Sequence, residues 1–198
     1  TDAELARRRP GLVHLGISGY GREGPDAARP GYDFVAQAVG GLMSITGFPD
    51  GEGGHPTKVG VAVSDVVAGL HGAVAVLAAL HEGTDGAGRP TARRVDVSLL
   101  GSTLSLLVNQ AQNAITTGRP PARRGNAHPN IVPYEAFEAT DRPLVIAVGS
   151  ERQWPRFCEA IGLAPGQSKS VATGASHSGS RAGMLRSSIM KTTTEVGT

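Results

Sequence analysis

Lys58-Val59-Gly60-Val61-Ala62-Val63-Ser64-Asp65-Val66-Val67-Ala68-Gly69-Leu70-His71-Gly72 sets one carboxylate at the mouth of an apolar run. From Val66 to Leu80 the only strongly polar side chain is His71, so the stretch predicts a buried helix from about Asp65 to Glu82. Ser64 and Asp65 then fall at its N-terminus, where side-chain oxygens satisfy orphan backbone N–H groups and the helix dipole favours negative charge. Two roles follow from the same physics. Asp65 is a helix cap, or it is a carboxylate nucleophile toward an activated acyl group, approached closely because glycines surround it. Local geometry leaves both open.

Working outward, the pattern alternates strand and helix. A polar helix at Asp2 to Arg9 precedes a short strand of the buried, parallel type at Gly11 to Ser18. The loop Gly19-Tyr20-Gly21-Arg22-Glu23-Gly24-Pro25 has the spacing G-x-G-x-x-G. It is a weak dinucleotide fingerprint, because Pro25 follows and no helix opens there. Phe34 to Ser44 predicts a helix capped by Asp33, and Thr46 to Pro56 a turn-rich loop. Gly83 to Gly88 closes the central helix, and Arg93 to Val97 forms a strand. Ser98 caps a second long helix to about Thr117, with Leu99, Leu100, Leu104, Leu107, Val108 and Ala111 on one face. This order argues for an α/β layer architecture over residues 1–118.

Past Gly118 the turn formers Arg119-Pro120-Pro121 and Arg124 to Asn130 mark a boundary. Strands at Pro133 to Ala139 and Leu144 to Val148, joined by a turn at Thr140 to Pro143, and a helix from Glu151 to Ile161 capped by Ser150 open a small α+β domain over 119–167. From about Ser168 the periodicity disappears, so 168–198 is expected to be disordered or foreign to the fold.

Composition narrows the function classes. Of the 198 residues 39% are hydrophobic but only 4% aromatic, and 28 are glycine, which suits a core of Ala, Val and Leu packed at short range. A net charge of +2, with no basic run interleaved with aromatics, argues against nucleic-acid binding. The single cysteine, Cys158, excludes an intramolecular disulfide and a Cys-rich zinc site, and the six histidines show no ligand spacing with carboxylates, so no metal is expected. Glycines, His71 and His81 interrupt the longest apolar run, so neither a membrane span nor a signal peptide is expected, and a cytoplasmic setting fits.

Six segments in order carry a resemblance: Ile17-Ser18-Gly19-Tyr20-Gly21 through Pro25, Arg29-Pro30-Gly31-Tyr32-Asp33, Pro56-Thr57-Lys58-Val59-Gly60, the Asp65 stretch, Val95-Asp96-Val97-Ser98-Leu99-Leu100, and Gly125-Asn126-Ala127-His128-Pro129-Asn130. Over about residues 10 to 165 the chain resembles the family III CoA-transferases (CaiB/BaiF type), the group of formyl-CoA transferase, carnitine CoA-transferase and α-methylacyl-CoA racemase. The resemblance implies part of a Rossmann-like large domain followed by the start of a small domain. It also implies CoA transfer from an acyl-CoA thioester to a carboxylic acid through an aspartyl anhydride and an aspartyl-CoA thioester, with Asp65 as nucleophile. Coenzyme A enters as part of the substrate; no permanently bound cofactor is implied. Tyr20, Arg29, Tyr32, Gln37 and Lys58 match positions near the CoA and acyl groups. Gly125, Asn126 and His128 stand where formyl-CoA transferase carries a glycine loop over its aspartate.

The racemase branch needs a histidine at position 32, where this chain has Tyr32, a poor base at neutral pH given a reference pKa near ~10. Transfer is therefore expected over racemisation, which remains the alternative. The family's interlocked homodimer is the implied assembly. Its N-terminal half and its returning C-terminal segment have no counterpart in these residues, so a fragment is expected, and a truncated, inactive protein acting only through subunit association is the third reading.

Overall fold

The structure, a computed structural model, describes residues 1–139 and 142–162. The expected tail at 168–198 and the tip of the expected turn at 140–141 lie outside the described residues. Two compact units divide the chain, Thr1–Arg123 and Arg124–Thr198.

The first unit contains helix α1 (Asp2–Arg8), strand β1 (Val13–Ser18), helices α2 (Asp33–Val39) and α3 (Leu42–Ile45), a 3-10 turn (Asp50–Glu52), helix α4 (Val63–Glu82), strand β2 (Arg93–Ser98) and helices α5 (Leu99–Ser105) and α6 (Val108–Thr117). β1 and β2 pair in parallel, Leu15 opposite Val95 and Ile17 opposite Val97, with His14 opposite Arg94 and Gly16 opposite Asp96. Side chains alternate along a strand, so one face of this pair is apolar and the other charged. The apolar face meets α4 at Gly72, where an added Cβ would lie 3.0 Å from a Leu15 methyl. On the other face Arg94 binds Asp96 at 2.6 Å and Asp2 of α1 at 2.9 Å. The two-sided burial typical of parallel strands is thus replaced here by one packed face and one ion-pair face.

α4 has 20 residues, as its long apolar run predicts. It runs antiparallel to the strands: Ser64 at its start contacts α5, Gly72 faces mid-strand, and Glu82 at its end sits 3.7 Å from Arg93 at the start of β2. Its buried face is a stripe of small residues, Ser64, Ala68, Gly72 and Ala79, at roughly helical spacing. Ala68 packs with Ala36 of α2 and Leu99 of α5 in the core, joined by Val97.

Several expectations change. α4 is not a buried helix: its large side chains Val66, Leu70, Val74, Leu77 and Leu80 form a second stripe that stands open, Leu70 at 61% and Leu77 at 66% exposure. By length and composition α4 is also long and apolar enough to cross a membrane, because glycines and two histidines do not offset so many Val, Leu and Ala residues. The helix expected over Phe34 to Ser44 breaks at Gly40-Gly41, where Gly41 takes φ 81°, a left-handed turn that glycine adopts without strain. The long helix after Ser98 also divides. Ser98 Oγ caps α5 through the Gly101 N–H at 3.0 Å, but Val108 at φ 40° re-aims the chain into α6, leaving Leu104 and Val108 exposed rather than on a buried face.

The second unit holds an antiparallel hairpin of β3 (Tyr134–Phe137) and β4 (Leu144–Ala147), with Tyr134 opposite Ala147, followed by helix α7 (Gln153–Ala160). Ser150 does not cap α7. Its hydroxyl bonds Gln153 Oε1 at 3.2 Å, while the Gly149 N–H also donates to that oxygen at 2.9 Å. Phe137 and Cys158 are buried within this unit.

Candidate active site

The antiparallel course of α4 places its N-terminus at the C-terminal ends of β1 and β2, the edge at which α/β sheets commonly bind ligands. Four segments meet there. The chain leaving β1 crosses the chain entering α2 so closely that a Cβ on Gly19 would lie 2.5 Å from the Gly31 Cα. Only two glycines permit this crossing, and it sets Tyr32 and Asp33 beside the start of α4. The Leu100 N–H donates to the Gly19 carbonyl at 3.0 Å and ties α5 to the same edge.

Asp33 does not cap its own helix. Its Oδ1 accepts the Ser64 N–H at 2.9 Å, and its Oδ2 accepts from Gln37 Nε2 at 2.9 Å. It therefore caps α4, whose own N-cap residue, Ala62, has no side-chain acceptor. A hydrogen bond to a charged group contributes about 1.5–3 kcal/mol. Ser64 is held a second time, since Thr103 Oγ1 lies 2.8 Å from both Ser64 Oγ and the Leu99 carbonyl. Each hydroxyl has one proton, so Thr103 donates to the carbonyl and accepts from Ser64. Ser64 and Thr103 are fully buried.

Asp65 follows this anchored serine and points outward. Its side chain is exposed, caps nothing, and makes no hydrogen bond or ion pair among the described residues. The capping role open to it at sequence level belongs to Asp33. What remains is a free carboxylate in the first turn of a fixed helix, on a stretch where Val61 and Val66 also stand exposed.

The other expected site residues take varied positions. Tyr20 is half-buried with the Arg29 guanidinium 5.0 Å above its ring, and Arg29 also binds Asp26 at 3.0 Å, which raises its already high pKa. Tyr32 is 66% exposed. Lys58 is exposed and donates to the Val59 carbonyl at 3.2 Å. Gln37 is fully buried and faces protein at both ends of its amide, since its Oε1 accepts the Val59 N–H at 2.8 Å. Gly125, Asn126 and His128 belong to the second unit. There His128 is a structured turn residue rather than a solvated one: Nδ1 accepts the N–H groups of Asn130 and Ile131 at 3.1 and 3.0 Å, which puts the ring proton on Nε2. His71, the one strongly polar side chain in the apolar run, is exposed and reaches buried Ser102 at 3.3 Å.

Sequence reasoning missed Asp33, Ser64 and Thr103 as a group. The signal was slight: a carboxylate two residues past a glycine, with a glutamine one helical turn later.

Residues 1–196 match the family model described as CoA-transferase family III. Among curated proteins, a succinate–glutarate CoA-transferase of Agrobacterium fabrum is 43% identical over 155 residues, covering 78% of this chain and 37% of that protein. An acetyl-CoA:oxalate CoA-transferase of Acetobacter aceti is 38% identical over 160 residues, covering 80% and 40%. A crystal structure of a CaiB/BaiF family protein from Brucella suis superimposes with a TM-score of 0.72 at 33% identity, over 96% of this chain and 49% of that one. The chain thus spans about two fifths of the length of these curated relatives.

Proposed function

The chain belongs to CoA-transferase family III, and from that premise we propose that the protein moves coenzyme A from an acyl-CoA thioester to a free carboxylic acid, with Asp65 as the nucleophile. The observation that carries this reading is the exposed, unpartnered carboxylate of Asp65 on a helix start whose preceding residue is pinned from two sides. A nucleophile needs a free lone pair and a held backbone, and the unpartnered carboxylate that follows the pinned Ser64 supports that reading.

In the proposed cycle an Asp65 oxygen attacks the thioester carbonyl carbon; the C–S bond breaks and CoA leaves as the thiolate, giving a mixed anhydride. The thiolate attacks the Asp65 carbonyl carbon and expels the donor as its free carboxylate, leaving an aspartyl-CoA thioester. The acceptor carboxylate then attacks that thioester, and the thiolate released finally attacks the acceptor's acyl carbon and restores Asp65. No net proton is consumed. Both intermediates hydrolyse, so water must be kept away from Asp65 once substrate is bound.

The names of the two curated relatives point to short dicarboxylic acids as the acceptor class. Tyr20, Arg29 and Lys58 are proposed to bind the CoA or acyl portions, and Gly125, Asn126 and His128 to contact substrate. A homodimer in a cytoplasmic setting completes the proposal.

Intact mass after mixing with succinyl-CoA tests the chemistry. A CoA-sized adduct on the native chain, removed by hydroxylamine and absent from Asp65→Ala, is expected. A folded native chain that acquires no adduct, or an Asp65→Ala chain that acquires the same one, refutes the assignment.

A further inference from the structure

Four residues, Val59 to Ala62, lead into α4, and most of them are exposed. The Asp33–Gln37 pair holds both ends of this run. Gln37 Oε1 accepts the Val59 N–H at 2.8 Å, Gln37 Nε2 donates to Asp33 Oδ2 at 2.9 Å, and Asp33 Oδ1 accepts the Ser64 N–H at 2.9 Å. The polarity of the chain of bonds is fixed from its ends. A backbone N–H at Val59 requires the amide oxygen there, which turns the amide nitrogen toward position 33 and requires an acceptor. The N–H at Ser64 requires a second acceptor on the same side chain. With glutamine at 37, only a carboxylate at 33 meets all three requirements.

We infer that Asp33 and Gln37 are positioning residues for Asp65, a two-residue clasp that holds Val59 and Ser64 at a set separation and so fixes where the Asp65 carboxylate points. The inference rests on the reading of Asp65 as the nucleophile. The clasp is anchored on the helix that follows the Gly19–Gly31 crossing, so the aim of Asp65 is referred to the sheet edge rather than to the exposed segment that precedes it.

The clasp has a second solution of reversed polarity. With Asn at 33 and Glu at 37, the Asn oxygen accepts from Ser64, the Asn nitrogen donates to Glu, and the other Glu oxygen accepts from Val59. Each single change breaks the chain: Asp33→Asn sets two NH₂ groups against each other, and Gln37→Glu sets two carboxylates together. Succinyl-CoA with glutarate as acceptor, applied to the intact native chain, both single variants and the double, reads the difference. Each single variant is expected to lower the saturated transfer rate about 10- to 100-fold with KM for succinyl-CoA near native. The Gln37→Glu loss should shrink as the pH falls, because a protonated Glu can donate to Asp33. The double variant should recover at least tenfold over its slower parent, short of full rescue because its charge sits at the more buried position.

Single variants at the native rate, or a double no faster than its slower parent, overturn the inference. If the native chain transfers nothing, the transferase reading has failed, and amide exchange at Val59 and Ser64 then decides the clasp by itself. Slow exchange in the native and double chains with fast exchange in both singles supports it, and equal exchange in all four overturns it.

Discussion

Replacing Gly19 by Ala should damage this fold far more than the same change within α4. The new methyl would sit 2.5 Å from the Gly31 Cα and 2.9 Å from its nitrogen. Both are backbone atoms, so no side chain can rotate away. To reach the 3.4 Å of ordinary contact, the two strands of the crossing must part by about 0.9 Å. Overpacking of this kind costs about 1–3 kcal/mol. Two internal controls separate sterics from glycine's intrinsic effects. At Gly69, inside α4, an added Cβ meets nothing within 4 Å, so Gly69→Ala should stabilise by about 0.8–1 kcal/mol through helix propensity. At Gly72 the Cβ meets only Leu15 methyls, at 3.0 and 3.4 Å, which can shift, so Gly72→Ala should fall between the two. Thermal melts of the three variants should rank Gly69→Ala above native and Gly19→Ala lowest, at about 2–4 °C per kcal/mol for a chain of this size. Because the crossing leads directly to Asp33, Gly19→Ala should also slow transfer. A Gly19→Ala chain that melts with or above Gly69→Ala would falsify the close-approach argument.

Thr103→Val keeps the shape of a fully buried side chain but removes the partner of Ser64 Oγ, so it should cost about 1–3 kcal/mol in urea unfolding; an unchanged midpoint refutes the buried bond. The hydrogen bond from Arg94, and then the charges of Arg94 and Arg22, hold the Asp96 carboxyl below its ordinary range. A depressed carboxyl adds stability above its unfolded pKa and loses it as pH falls through the folded value, so melts from pH 6 toward pH 2 should drop, and Asp96→Asn should flatten that acid limb. Equal slopes in the two chains would count against the ion pair. Val108, a β-branched residue at φ 40°, should be relieved by Val108→Asn, raising stability by about 1 kcal/mol, and a lower melting temperature would show that the strain is absent.

The alternation of periodic segments was enough to read strand, helix, strand, helix, because each signal is local. β1, α4, β2 and the β3–β4 hairpin fall within a few residues of the expected positions for that reason. Asp65 was equally legible, as the lone carboxylate before an apolar run. What local pattern could not supply was partnership. Both Asp33 and Asp65 look like caps by sequence, yet Asp33 caps a helix that begins 30 residues after its own, and Asp65 caps none. The small and large residues of α4 are alike in an apolar count; only the packed fold separates the Ser64-Ala68-Gly72-Ala79 stripe that meets the sheet and α5 from the Leu70-Leu77 stripe that stands open. The helix break at Gly41 uses glycine's own freedom, whereas the one at Val108 runs against the preference of a β-branched residue. Sequence determined which segments are regular and where the Asp65 carboxylate, the proposed nucleophile, lies. Tertiary structure decided which hydrogen-bonding groups meet and what leaves that carboxylate free, because a polar atom's partner is set by distance in space and not by distance along the chain.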